Sequence, residues 1–275
     1  MPGRSYTGAL MPHANANGQR LYYEVAGEGE PMLLVMGLGA DHLSWAPQVR
    51  AWSRAFRVVS FDNRDVGQSS YADGPYEIAD MAADALALAD ALELDRFHLV
   101  GVSMGGAISQ EVALAAPDRV RTLTLCVTWG WQGARGELIS RVWAPRVLRG
   151  SREEHVDDLM VRCFSKEFFE NPRAVAFMRE LMLSNPYPQS PEAFVRQLEA
   201  CGRHDTRGRL AALSMPVHVV AAEHDGLVPA WESHELARLI GSADVSVIPG
   251  APHMANLERA DEFNGLVAGF IAEHS

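Results

Sequence analysis

Basic residues are in short supply. The 275-residue chain has 24 Lys and Arg against 35 Asp and Glu, a formal net charge of −11. That is the wrong sign for a protein whose affinity comes from neutralising phosphates, so nucleic acid is not an expected partner. No run approaches the roughly 18 apolar residues needed to span a bilayer. The opening stretch, MPGRSYTGALMPHANANG, lacks the apolar core of a signal peptide, so a cytoplasmic protein is expected. Cysteine is scarce too: Cys126, Cys163 and Cys201 are odd in number and widely spaced. They form neither a disulfide framework nor a CxxC pair and read as small buried hydrophobes. No His, Cys, Asp and Glu cluster has metal-ligand spacing, and no G-x-G-x-x-G follows a strand, so neither metal nor dinucleotide cofactor is expected. The chain also lacks internal repeats and low-complexity segments. What remains is 48% hydrophobic and 21% charged. That composition buries a sizeable core, and the length suits one α/β core carrying an insertion.

Short β-rich runs alternate with helical patterns through the first half, which implies a mostly parallel sheet covered by helices. LYYEVA (21–26) and PMLLVM (31–36) flank the turn GEGE and read as a hairpin. RVVSF (57–61) and FHLVG (97–101) are nearly continuous apolar runs, as expected of strands buried on both faces. Between them, residues 76–94 have helical spacing and form a crossover helix. A second helix runs from Met104 to about Ala115, stopped by Pro117, before the strand TLTLCV (122–127). The strand pattern then disappears from Trp129 to about Leu213, where helical periodicities break at Gly150, Asn171-Pro172 and Asn185-Pro186. PVHVVAA (216–222), a helix over 230–240, DVSVIP (244–249) and a helix over 259–273 resume the alternation. The expected organisation is a core over 1–128 and 214–275 with a helical lid over 129–213. Residues 132–212 hold 13 basic and 11 acidic side chains, the least negative part of the chain. This balance reflects either ordinary solvated helix faces or attraction of an anionic ligand.

The strand FHLVG runs into Gly101-Val102-Ser103-Met104-Gly105, a G-x-S-x-G that ends a strand and opens a helix. On such a sharp turn the serine backbone is strained and neighbouring side chains would clash, so Gly101 and Gly105 relieve the crowding and Ser103 Oγ stands free. A serine hydroxyl needs a base, and the base needs an orienting acid. Of ten histidines, His253 is distinguished by its loop between the last strand and the last helix. Asp225, in AAEHDGLVP, follows a strand end, with Glu223 as the alternative closer to that strand. Two N–H donors are needed for a developing oxyanion. Met104, directly after the serine, supplies one, and Leu38, between Gly37 and Gly39 after PMLLVM, the other; Gly37 is expected against the substrate. Trp129 and Trp131 follow a strand end, where they line a substrate pocket or pack in the core.

From about Gly18 onward the chain resembles the α/β-hydrolase superfamily. GVSMGG, Asp62-Asn63-Arg64-Asp65-Val66-Gly67-Gln68-Ser69, EHDGLVP and GAPHMANLE all occur in order. Within it, LGADHLSW, RCFSKEFFENP and PHMANLERADEFN are similar to 3-oxoadipate enol-lactonases, while LLVMG and AEHDGLVP resemble methylesterases of aromatic polyketide pathways. The resemblance implies the α/β-hydrolase fold, a triad of Ser103, Asp225 and His253, and cofactor-independent hydrolysis of a small carboxylic ester or lactone. Two departures stand out. Met36-Gly37 replaces the His-Gly of many relatives, and Arg64-Asp65 replaces an Arg-Gly, adding a negative charge with no functional account. The same triad would also serve a perhydrolase, a haloperoxidase or a C–C bond hydrolase, and a ligand receptor of this fold would turn over slowly or not at all. An anionic substrate would require at least one lid arginine in the pocket above Ser103.

Overall fold

The computed structural model describes residues 12–274. The chain runs through β1 (His13–Ala16), β2 (Gln19–Ala26), β3 (Glu30–Val35), α1 (Ala46–Trp52), β4 (Phe56–Phe61), α2 (Ile78–Ala91), β5 (Phe97–Val102), α3 (Met104–Ala115) and β6 (Val120–Cys126). Five helices come before the next strand: α4 (Gly133–Arg149), α5 (Arg152–Cys163), α6 (Lys166–Phe169), α7 (Pro172–Leu183) and α8 (Pro191–Arg203). Then follow β7 (Val217–Ala222), α9 (Ala230–Ile240), β8 (Asp244–Ile248), α10 (Ala255–Glu258) and α11 (Ala260–Glu273).

The strands form one sheet in the order β1-β2-β4-β3-β5-β6-β7-β8, parallel from β4 to β8. The expected hairpin of β2 with β3 is not formed. β4 lies between them, so that Val59 opposes Val25 on one side and Leu33 on the other. GEGE instead carries the chain across the end of β4. A Cβ on Gly27 would lie 2.2 Å from the Ser53 carbonyl oxygen and one on Gly29 2.5 Å from that of Ala55. The hairpin sits one strand earlier, between β1 and β2 around Asn17-Gly18, whose φ values of 49° and 76° suit a two-residue turn.

Period-two alternation divides the core. Leu33, Val35, Leu99 and Leu123 face Met81 and Leu88 of α2 and Ile108 and Val112 of α3. Met32, Leu34, Val100 and Val102 face Trp52 of α1 and Phe263 and Val267 of α11. Each such side chain contributes about 1.5–3 kcal/mol on burial. A smaller cluster in the insertion joins Trp143 and Val147 of α4 to Phe194 and Leu198 of α8. Trp143 and Phe194 meet edge-on with centroids 5.2 Å apart. The breaks expected in the insertion are helix boundaries: Asn171 caps α7 with Pro172 in its first turn, and Ser190 caps α8 ahead of Pro191. All three cysteines are buried and free.

Chain order reverses direction between β3 and β5, so the loops leaving these two strands diverge and open a crevice at the carboxyl end of the sheet. The Gly37–Gly39 loop and the turn at Ser103 lie at that crevice. Among the described residues no helix is long and apolar enough to cross a membrane.

Candidate active site

Ser103 sits between β5 and α3 with φ 56° and ψ −121°, a left-handed conformation rare for a side chain other than glycine. The surroundings over-determine it. Its N–H donates to the Cys126 carbonyl at 2.9 Å, and its own carbonyl accepts from Thr128 Oγ1 at 2.7 Å. The flanking glycines are required by backbone. A Cβ on Gly101 would lie 2.3 Å from the Gly105 carbonyl oxygen, and one on Gly105 would lie 2.0 Å from that of Val35.

The three residues singled out for acyl chemistry are brought together. Ser103 Oγ lies 3.0 Å from His253 Nε2, and His253 Nδ1 lies 2.7 Å from Asp225 Oδ2. All three residues are buried. Asp225 Oδ1 accepts the N–H groups of Leu227 and Val228, both at 2.8 Å. The turn thus points the second oxygen at the imidazole. A carboxylate can only accept, so Nδ1 carries the proton and Nε2 is free to accept the serine hydroxyl. Glu223 is elsewhere: its side chain is 54% exposed and accepts the Gly250 N–H at 2.8 Å.

Gly37 packs directly on the serine, since a Cβ there would lie 3.1 Å from Ser103 Cβ. Leu38 follows it, and Met104 opens the 12-residue helix α3. Among the described residues neither the Leu38 nor the Met104 N–H has a protein acceptor. Two free donors, one of them at a helix N-terminus, therefore border the serine, an arrangement suited to negative charge. Met36 and Met104 are buried core residues.

The two tryptophans divide. Trp129 is buried in the core on the α3 side of the sheet, its carbonyl bonded to Gln110 Nε2. Trp131 is 46% exposed and lies beneath the Arg207 guanidinium, 3.5 Å from the ring centroid. Arg207 covers one face of its ring, and Gly133 passes close enough for a Cβ there to overlap it.

Among the described residues, eight of the twelve lid arginines are exposed. The four that are only partly exposed, Arg135, Arg162, Arg179 and Arg196, each pair with a carboxylate, respectively Glu232, Asp158, Asp157 and Asp65. Desolvation makes an unpaired guanidinium costly, and these four are neutralised by Asp157 and Asp158 within the insertion and by Asp65 and Glu232 of the core. Leu38, beside Gly37 that packs on Ser103, and Leu227, two residues after Asp225, instead pack against the Trp143–Phe194 cluster. A groove of about 710 Å³ lined by Trp143, Arg146, Glu154 and His155 contains none of the triad.

Sequence reasoning missed the polar contacts between insertion and core. Asp65, the unexplained charge, adopts φ 70° and has a fully buried carboxylate. It accepts from Arg196 Nε and Nη2 at 2.8 and 2.9 Å, from Tyr76 Oη at 2.8 Å and from the Ala72 N–H at 2.7 Å. Burial, with the Asp65 charge beside it, pushes the Tyr76 hydroxyl far up and keeps it a neutral donor. Gln197, one residue on, is fully buried. Its signal was available: with Phe194, Leu198 and Cys201 it occupies the apolar face of α8 at helical spacing.

Comparisons with known proteins bear on the family and the fold. A family model described as alpha/beta hydrolase fold matches residues 30–260. The chain is 32% identical to the carbamate hydrolase RutD of Azorhizobium caulinodans over 96% of its own length and 99% of that protein. The crystal structure of the enol-lactonase from Burkholderia xenovorans superposes with a TM-score of 0.85 at 30% identity, covering 95% of this chain and all of that one. A thermophilic esterase from Thermogutta terrifontis gives 0.83 at 29% identity over 94% and 95%. With its parallel sheet, serine elbow and sequence match over most of its length, the chain belongs to the α/β-hydrolase family.

Proposed function

We propose that this hydrolase cleaves a carboxylic ester or lactone through an acyl-serine intermediate, without a cofactor. The observation that carries the reading is the pair of hydrogen bonds on His253, 3.0 Å to Ser103 and 2.7 Å to Asp225. In the first step His253 Nε2 takes the hydroxyl proton while Ser103 Oγ attacks the carbonyl carbon, and the carbonyl electrons move onto oxygen, towards the free N–H groups of Leu38 and Met104. The intermediate collapses by expelling the alcohol oxygen, which receives the proton from His253. Water then gives a proton to His253 and adds to the acyl carbon, and Ser103 leaves with its hydroxyl restored. Asp225 keeps the imidazole in the competent tautomer and stabilises its charged form.

The substrate we favour is neutral and apolar near the scissile bond. Its support is the Trp143–Phe194 cluster reaching Leu38 and Leu227, together with the pairing of each partly exposed lid arginine. The insertion acts as a lid that excludes bulk water and shapes the acyl and leaving-group pockets. The RutD relatives bring a second reading, a carbamate, in which the same attack on a carbonyl carbon expels a different leaving group. One panel separates the cases: neutral p-nitrophenyl and methyl esters, half-esters bearing a free carboxylate, lactones and an aryl carbamate. Higher kcat/KM for the neutral esters is expected. A preference for the half-esters that shrinks with added salt would overturn the neutral assignment.

A further inference from the structure

The donor loop is poorly fixed by its own sequence. Leu38 lies between Gly37 and Gly39, the latter at φ 74°, and a Gly-Leu-Gly unit loses much backbone freedom when one conformation is imposed. Something outside the loop must restrain it, because an oxyanion donor contributes only when already aimed. Met36, the preceding residue, has a side chain without a hydrogen-bonding group suited to that task.

The restraints come from four sides. Asn63 Nδ2 donates to the Met36 carbonyl at 2.9 Å at the start of the loop. Asp62 Oδ1 accepts the His42 N–H at 2.8 Å at its end. Asn185 Nδ2 donates to Asp41 Oδ2 at 2.9 Å. The fourth contact is nearest the donor: Gln197 Oε1 accepts the Gly39 N–H at 3.1 Å, one peptide beyond Leu38. The same oxygen accepts from Gln189 Nε2 at 3.0 Å, and Gln197 Nε2 donates to the Arg64 carbonyl at 2.9 Å. These partners fix the orientation of the amide, because only its oxygen can meet two N–H donors. Gln197 is fully buried, so water does not compete for these bonds.

We infer that Gln197, carried by the insertion helix α8, is a positioning residue that aims the Leu38 N–H at the oxyanion. The inference rests on the acyl-serine reading and adds that the insertion completes the catalytic site of the core. Helix α8 is itself seated on the core by the neighbouring Arg196–Asp65 pair, so the donor loop and the base of the lid are held by consecutive residues.

The test compares Gln197→Leu, which removes all three bonds at similar volume, with Gln197→Asn, one methylene too short to reach both Gly39 and Arg64, and Gln197→Glu, which keeps the acceptor. Hydrolysis of a neutral p-nitrophenyl ester and inhibition by a trifluoromethyl ketone, whose hemiketal mimics the tetrahedral intermediate, are measured together. The expected result for Gln197→Leu is a kcat loss of about 10²-fold, the scale of a lost oxyanion donor. KM should stay within about threefold, and inhibitor affinity should fall in proportion to kcat/KM. Gln197→Asn should lose about tenfold, and Gln197→Glu should recover part of the loss. Should the leucine variant fail to fold, the asparagine variant carries the test. Wild-type kcat in a folded Leu or Asn variant, or a change in melting temperature and KM alone, would overturn the assignment. Ser103→Ala is run alongside: activity surviving there defeats the acyl-serine reading itself, whereas an inactive Ser103→Ala beside a fully active Gln197→Leu defeats only this inference.

Discussion

Asp225→Asn is an unusually decisive substitution here because the turn around it dictates which way the new amide must face. In the native chain Oδ1 accepts the N–H groups of Leu227 and Val228, and Oδ2 accepts from His253 Nδ1. An asparagine has one oxygen. Presenting its NH2 group to two backbone N–H donors would be repulsive and leave both unsatisfied, at about 1–3 kcal/mol each. The oxygen therefore stays on the turn and the NH2 group meets His253 Nδ1. That nitrogen must then accept, the proton moves to Nε2, and Ser103 loses its base. The same exchange in a serine-protease triad costs about 10⁴ in kcat, or about 5 kcal/mol of barrier, and a loss of this order is expected here. Glu223→Gln should stay within about threefold, since that side chain is 54% exposed and its partners are the Gly250 N–H and the exposed His224 ring, neither in the triad. The assay is steady-state hydrolysis of a p-nitrophenyl ester, with circular dichroism and thermal melting to show that both variants fold. Asp225→Asn retaining more than about a tenth of wild-type kcat, or the two sensitivities reversed, would refute the orientation assigned to Asp225.

Gly37→Ala should fold but lose about tenfold or more in kcat, because the added Cβ lies 3.1 Å from Ser103 Cβ and small displacements of reacting groups are expensive; an unchanged kcat would contradict the placement of this loop. Arg196→Leu should lower stability by about 3 kcal/mol in urea titration by stranding the buried Asp65 carboxylate, and Asp65→Asn added to it should restore part of the loss; a wild-type midpoint for the single variant would count against the pair. Burial pulls His204 and His218 down to about 4 in the folded state, so between about pH 6.5 and 4 the unfolded chain binds protons that the native one does not. Their contribution to stability is complete above about pH 6.5 and lost as the pH falls towards 4. Denaturation at stepped pH should show this slope, His218→Gln should flatten it, and an unchanged slope in that variant would exclude His218 as a source.

Elements whose physics is local were legible in the sequence. Helix α3 follows from the serine elbow and Pro117, and α9 and α11 from apolar spacing. The pairing of β2 was not, because it depends on β4, thirty residues further on, inserting beside it, and β1 is too short and polar to announce itself. At the site, Ser103, Asp225 and His253 could be named because loop position at strand ends fixes their neighbourhood. Gln197 stood out only as a polar residue on the apolar face of α8; its partner Gly39, like those of Asn185 and Arg196, lies more than a hundred residues away and could not be named. The positive balance of the insertion left two readings open for a related reason: composition counts charges but not their partners. Trp131 likewise followed a strand end as expected, yet its ring turned out to solvent under Arg207.

Peptide mass spectrometry after reaction with a fluorophosphonate shows whether Ser103 is the residue that forms the covalent intermediate. One phosphonyl group is predicted on the peptide containing Gly101-Val102-Ser103-Met104-Gly105, with hydrolysis of neutral esters lost in step with labelling. Ser103→Ala should neither label nor turn over while melting as the parent does. Label on any other serine, or substantial hydrolysis by Ser103→Ala, would contradict the acyl-serine mechanism.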